Sequence, residues 1–281
     1  MEKFKSIIII GMFIYTALSA KQKGGSGMLS EMFKYLETKS LGRNCFYFDE
    51  LDSTSTYLKK RWKLFSHGHT VASLSQLNGR GRQGKSFYSP KGAGLYFSFL
   101  LTEEKYVCDP LFTVKISYAL CRAIDALTET QEAKIKWVND IYVNGRKVAG
   151  ILCEALKDQE RNGILVGIGV NLSIDKASVP QELRGKIGSL RDLSKKKLNA
   201  WKLLALILNE TEKIYSEDYN ENFLELYKAR SAVLGREIMV IKGEERIRAA
   251  ALDIADDAGL NVRYQNGITE KLTAGEISIY I

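Results

Sequence analysis

Apolar and polar positions along this chain change period several times, and the changes mark out its elements. Met28 to Thr38 carries the spacing of a short amphipathic helix. Cys45 to Leu51 reads as a strand, and Asp52-Ser53-Thr54-Ser55 then supplies side-chain acceptors to cap a helix running to about Phe65. Thr70 to Leu77 and Leu95 to Leu101 are β-rich, and Leu111 to Thr128 returns to helical spacing. Asp140–Val143 and Arg146–Glu154 flank Asn144-Gly145, a pair that tolerates positive φ and so predicts a tight hairpin. Ile164 to Leu172 is a further strand whose glycines predict close approach of a ligand or a neighbour. Helices follow at Leu198–Tyr215 and Glu221–Ala229. From Leu234 to Ile281 short strands alternate with turns at Lys242-Gly243, Ala258-Gly259 and Asn266-Gly267, the pattern of a small all-β unit.

Composition narrows the class. The 281 residues are 45% hydrophobic and 26% charged, an ordinary globular balance. The net charge of +8 is scattered, which fits a basic surface or a site for anionic substrates better than a nucleic-acid footprint. Cys45, Cys108, Cys121 and Cys153 are far apart and lack metal-ligand spacing, so they read as reduced, buried thiols of a cytosolic enzyme. His67 and His69 have no acid or cysteine at ligand spacing and read as a polar loop. At the N-terminus, Lys3 and Lys5 precede an apolar run from Ile7 to Leu18 that ends in small residues, the shape of a secretory signal. Gly24-Gly25-Ser26-Gly27 reads as a linker. The competing explanation, favoured here, is a start assigned too far upstream, with Met28 the true beginning and a cytoplasmic protein.

Residues Gly79–Ser86, G-R-G-R-Q-G-K-S, match the letters of a phosphate-binding P-loop. The context does not. Such a loop must open a helix, whereas Pro90, Gly92 and Gly94 follow and lead into a β-rich run. The expectation is an anion-binding loop between two strands, carrying Arg80, Arg82 and Lys85.

Four segments then stand together. They are Asp52-Ser53-Thr54-Ser55; Gln76 with Gly79-Arg80-Gly81-Arg82-Gln83-Gly84; Lys136-Trp137-Val138-Asn139-Asp140 with Lys147 across the hairpin; and Gly167-Ile168-Gly169-Val170-Asn171-Leu172. In this order and spacing the chain resembles biotin protein ligases from about residue 45 to its end. The resemblance implies an α+β catalytic domain on a mixed sheet, about residues 28–232, after a 1–27 leader, and a C-terminal β-barrel of Src-homology type, 233–281. It implies ATP-dependent formation of biotinyl-5′-adenylate and transfer of biotin to a lysine of a carboxylase's biotin carrier domain. ATP and Mg²⁺ enter as co-substrate and activator, with no tightly bound cofactor.

The residue types suit that chemistry. Ser53, Thr54, Ser55 and Gln76 offer neutral hydrogen-bonding groups to a ureido ring, where a charged side chain would be left unpaired. Gly150 and Ile151 supply apolar walls, and Gly81 is a further expected substrate-binding residue. Two anions must meet, so Lys147, Arg80 and Arg82 are the expected catalytic cations. The resemblance further implies Lys85, Phe87, Asn139 and Asn171 near the nucleotide, Phe87 covering adenine, and Asp140 helping to hold Mg²⁺. A loop closing over the adenylate excludes water from a labile mixed anhydride. Ser55, Val138 and Phe87 stand where many relatives have Asn, Pro and Trp. A lipoate or octanoate ligase or transferase is the rival within the same superfamily. A repressor form is not expected, because the segment ahead of the first strand has no room for a DNA-binding module. The oligomeric state stays open between a monomer and a homodimer paired through sheet edges.

Overall fold

In the computed structural model, residues 26–194, 197–216, 219, 222–273 and 276–279 are described. The apolar run at Ile7–Leu18 lies outside them. The first sheet is mixed and seven-stranded, built from β1 (Cys45–Phe48), β2 (Thr70–Ser73), β3 (Gly94–Leu101), β4 (Lys134–Lys136), β5 (Asp140–Val143), β6 (Arg146–Lys157) and β7 (Asn162–Asn171). Its order is β1-β2-β3-β7-β6-β5-β4, with β1 and β2 parallel and the other neighbours antiparallel. The Asn144-Gly145 hairpin forms as expected, with both residues at positive φ.

Helices α1 (Ser26–Phe33), α2 (Thr54–Lys59), α3 (Glu104–Val107), α4 (Phe112–Thr128), α5 (Ala200–Ile214) and α6 (Phe223–Ala229) surround this sheet. One sheet face meets α4 and α5, whose buried Ile116, Leu120, Leu204 and Leu208 join Phe97, Val166 and Val170 in the main core. On the opposite face α2 and the turn after it bury Leu58, Trp62 and Phe65 against Val71, Leu100, Leu156 and Leu165. Along that second face the residues shrink. Leu100 pairs Leu165, then Ser98 pairs Gly167, then Tyr96 pairs Gly169. The apolar layer thus gives way to glycines, and a hollow opens there.

Strand β1 stops at Phe48 instead of Leu51, and three further elements also end earlier than their periodicity predicts, each for a reason visible in its contacts. Helix α1 stops at Phe33 because the N–H groups of Lys39, Ser40 and Leu41 donate to the Glu212 carboxylate instead of continuing a helix. Helix α2 stops at Lys59. Beyond it, the carbonyls of Trp62 and Phe65 accept from the Arg161 guanidinium. Strand β2 stops at Ser73, whose hydroxyl donates to the Ser75 carbonyl and accepts from the Ser75 N–H, a turn that closes the ladder. The thiols also differ from expectation. Cys121 is buried, Cys45 and Cys153 are half-buried, and Cys108 is exposed on the turn after α3.

Strands β8 (Glu237–Lys242), β9 (Glu245–Ile254), β10 (Leu260–Tyr264), β11 (Thr269–Leu272) and β12 (Glu276–Ile279) make a five-stranded antiparallel sheet, ordered β11-β10-β9-β8-β12. It is tied to the first sheet at a sharp point. The buried Trp137 indole N–H donates to the carbonyl of Ala258 at 2.8 Å, and Ala258 sits in a turn at φ +64°. No helix among the described residues is long and apolar enough to cross a membrane.

Candidate active site

The hollow above the glycines is a cavity of about 170 Å³, lined by residues from all four sequence segments. At one end stand Ser53, Thr54 and Ser55. Ser53 is the N-cap of α2 and its hydroxyl accepts from the Thr56 N–H, as a capping serine should. Thr54 and Ser55 turn inward. The Thr54 N–H donates to Gln76 Oε1 at 2.9 Å, and the Thr54 hydroxyl reaches the same oxygen at 3.2 Å. Both hydroxyls also lie 2.9 Å from Ser98 Oγ on β3, a fully buried serine that sequence reasoning missed.

The floor depends on missing side chains. A Cβ on Gly167 would stand 2.4 Å from Ser55 Oγ, and one on Gly169 would stand 2.5 Å from the Phe87 ring. Gly150 pairs Gly169 across the sheet, and its own Cβ would meet the ring at 3.3 Å and Lys147 Nζ at 3.1 Å. Phe87 therefore lies on a platform of two glycines, with the Lys147 ammonium 5.8 Å from its ring centre.

The other end is cationic. Arg80, Arg82, Lys85, Lys136 and Lys147 line the cavity, against Asp140 as the one carboxylate among its described lining residues. The glycine- and arginine-rich loop is a formed hairpin, not the mouth of a helix. Arg80 bridges Ser86, Gly81 N–H donates to the Lys85 carbonyl at 2.7 Å, and Phe87 N–H donates to the Gly79 carbonyl at 2.8 Å. Its tip passes through Gln83 and Gly84, both at positive φ. Arg82 is fixed by Asn139, whose Oδ1 accepts at 2.9 Å while its amide N–H₂ donates to the Ile151 carbonyl at 2.6 Å. Arg80 points to the rim and pairs with Glu154 at 3.3 Å, a carboxylate that Lys59 also holds at 2.7 Å.

Lys147 pairs with Asp140 at 2.7 Å. A bulge makes this possible. Tyr142 pairs Lys147, but Ile141 pairs Ala149 and Asp140 pairs Gly150, so Val148 is the extra residue. Without it, strict alternation would place Lys147 and Gly150 on opposite faces. With it, both face the cavity. The lysine backbone is also clamped from outside, with Lys147 N–H donating to the Lys186 carbonyl and Gly188 N–H to the Lys147 carbonyl. Asn171, expected near the nucleotide, lies outside the cavity lining. Its amide donates to the Gly188 carbonyl at 3.1 Å, so it holds the segment that holds Lys147.

From the C-terminal sheet, Ile277 of β12 reaches the cavity wall. A second cavity, behind Asn139, is shared by Arg82, Cys153, Asp257 and Ala258. Burial pushes the Cys153 thiol up to about 12, so it rests there as an inert thiol. His67 and His69 do not converge. His67 Nδ1 accepts from the Thr102 N–H, while His69 stacks on Phe65 and meets the Ser66 hydroxyl. No cluster of three or more His, Cys, Asp or Glu suited to a metal occurs among the described residues.

A sheet hollow with hydroxyls at one end and a cationic hairpin at the other suits a ligand with a neutral polar head and an anionic tail. Residues 47–171 match the biotin/lipoate A/B protein ligase family. Among curated relatives it is 28% identical over 267 residues to the bifunctional ligase/repressor BirA of Bacillus spizizenii, covering 92% of this chain and 81% of that protein. It is 26% identical over 234 residues to BirA of Escherichia coli, covering 82% and 72%. Among solved structures, the biotin protein ligase from Aquifex aeolicus in complex with biotin and ATP superposes with a TM-score of 0.70 at 27% identity, covering 85% of this chain and 99% of that one.

Proposed function

We propose that this chain is a biotin protein ligase that activates biotin with ATP and passes it to a lysine of a biotin carrier domain. The observation that carries this reading is the polarity of one continuous cavity. Neutral hydroxyls and an amide line one end, glycine and isoleucine line the middle, and five cations line the other. Biotin has the same sequence of chemistries: a neutral ureido ring, an apolar body and a carboxylate.

The residue roles follow that polarity. Ser53, Thr54, Ser55 and Gln76 hold the ureido ring, and Gly150 with Ile151 walls the body. The biotin carboxylate attacks the α-phosphorus of ATP. A new O–P bond forms, the bond to the β-phosphate breaks, and pyrophosphate leaves with that electron pair. Lys147, Arg80 and Arg82 offset the repulsion between the two anions and the charge that builds on phosphoryl oxygens. Gly81 lets the hairpin backbone approach the ligand. Lys85, Phe87 and Asn139 face the nucleotide, and Asn171 supports Lys147 through Gly188. The carrier lysine then attacks the acyl carbon as its free amine and loses a proton, and AMP leaves.

Asp140 is a single carboxylate beside the cations, which fits Mg²⁺ that arrives on ATP phosphates better than a resident ion. The Mg²⁺ shields phosphate charge. Asp140 has a second task, holding Lys147 until the phosphates draw it away. We assign the catalytic domain to residues 28–232 and the accessory β-domain to 233–281, and place the enzyme in the cytoplasm with a carboxylase carrier as its partner.

ATP–pyrophosphate exchange measured with biotin, lipoate and octanoate tests the proposal. Exchange dependent on biotin alone is expected. Exchange driven by lipoate or octanoate and not by biotin would replace the reading with that of the rival acyl ligase.

A further inference from the structure

Ser98 sits behind the site, fully buried on β3, and does not line the cavity. We propose that it is a positioning residue that draws the Ser55 hydroxyl proton away from the cavity, and so makes the site selective for a ring bearing two N–H donors. This deepens the biotin reading and rests on it.

The direction follows from counting protons. The Thr54 backbone N–H can only donate, and it donates to Gln76 Oε1, which fixes that atom as the amide oxygen. An amide oxygen can only accept, so the Thr54 hydroxyl, 3.2 Å away, must donate to it. Turned the other way, two oxygen acceptors would face each other unbridged. The Thr54 proton is then committed. At the 2.9 Å contact between Thr54 and Ser98, Ser98 must therefore be the donor. Its only proton is now committed too. At the 2.9 Å contact between Ser98 and Ser55, Ser55 must donate.

The chain of protons runs one way, from Ser55 to Ser98 to Thr54 to Gln76. Its consequence is that both cavity-lining hydroxyls, Thr54 and Ser55, present lone pairs and no proton to a ligand. Ser53 is the opposite case. Its oxygen accepts from the Thr56 N–H, and that bond leaves its own proton uncommitted. A donor beside two acceptors complements a cyclic urea, whose carbonyl is flanked by two N–H groups. The fold makes room for this relay. Gly167 is the register partner of Ser98, and any side chain there would collide with Ser55 Oγ. A serine or threonine hydroxyl alone would be adaptable, donating or accepting as required. Gln76 removes that freedom from Thr54, and Ser98 removes it from Ser55.

The test uses the full chain, biotin, and a biotin analogue methylated on a ureido nitrogen, with pyrophosphate exchange as readout. In Ser98→Ala the Ser55 proton loses its acceptor and turns toward the cavity, where it opposes a ligand N–H. KM for biotin should rise about tenfold with kcat within about threefold, since the cationic end is untouched. The preference for biotin over the methylated analogue should shrink by a similar factor. The double variant Ser55→Ala/Ser98→Ala should bind biotin no worse than Ser98→Ala, because the misdirected donor is gone. A Ser98 that merely packs would instead give additive losses. Ser98→Cys, nearly isosteric with a weaker donor, should move KM in the same direction and carries the test if the alanine variant does not fold. KM for biotin within twofold of wild type in the folded variants, or additive losses in the double, would overturn the relay while leaving the ligase reading intact. A wild-type chain that makes no adenylate from biotin would overturn the ligase reading first, and the relay with it.

Discussion

Replacing Lys147 with Met keeps the length of the side chain and removes its charge. The ammonium lies 2.7 Å from Asp140 and 28% of its side chain is exposed, so it is neither dry nor fully solvated. A unit cation about 4 Å from a phosphoryl oxygen is worth about 4 kcal/mol at an effective dielectric near 20. Partial exposure reduces this, which gives an expected loss of about 10²–10³ in the rate of adenylate formation. The Asp140 carboxylate, stripped of its partner, would then face the phosphates and add repulsion. Lys147→Met/Asp140→Asn should therefore recover about tenfold over the single variant. Biotin-dependent pyrophosphate exchange measures both. A single variant within tenfold of wild type would remove Lys147 from the reaction. A double variant no faster than the single would show that the Asp140 carboxylate adds no net repulsion toward the phosphates, as expected of a group that holds Mg²⁺ there.

Three further outcomes are expected. Arg82→Gly breaks the contact to Asn139 Oδ1 and opens the hairpin, so released biotinyl-adenylate should rise more than its formation slows; unchanged retention of the intermediate in a filtration assay would refute this. Trp137→Phe leaves the Ala258 carbonyl without its buried donor at a cost of about 1–2 kcal/mol, lowering the melting temperature by a few degrees, and an unchanged Tm would count against the tie between the sheets. Burial alone would raise the Glu212 carboxyl, but hydrogen bonds from the Ser40 hydroxyl and the N–H groups of Lys39, Ser40 and Leu41 outweigh it and hold the pKa below its usual value. The stability this confers is present above about pH 4.3 and is lost as pH falls through the lowered folded value, so Glu212→Gln should flatten that acid limb in urea titrations between pH 2 and 5.

Much of the scaffold could be read from residue patterns because its signals are local. The Asn144-Gly145 turn needs positive φ at two neighbours, and both adopt it. The glycines of β7 announced close approach, and Gly167 and Gly169 indeed give way to Ser55 and Phe87. The ends of α1 and α2 were not legible. They are set by partners such as Glu212 and Arg161, which lie far along the chain, and propensity carries no information about them.

The site divides in the same way. Its residue types were legible because the chemistry demands hydroxyls at one end and cations at the other, but their pairing was not. Lys147 and Gly150 fall on opposite faces of an ideal strand, and only the extra residue Val148 brings them together. Arg80 is held by Glu154 and Arg82 by Asn139, so the two arginines of one motif start from different restraints, one at the rim and one inside. Ser98 left one trace. It is the single serine in Leu95-Tyr96-Phe97-Ser98-Phe99-Leu100-Leu101, a run buried on both faces, and a buried hydroxyl must find partners. That trace says a partner exists without naming it. Only the register of β3 against β7, with Gly167 opposite, sends the hydroxyl toward α2 and makes a buried serine part of how the cavity addresses its ligand.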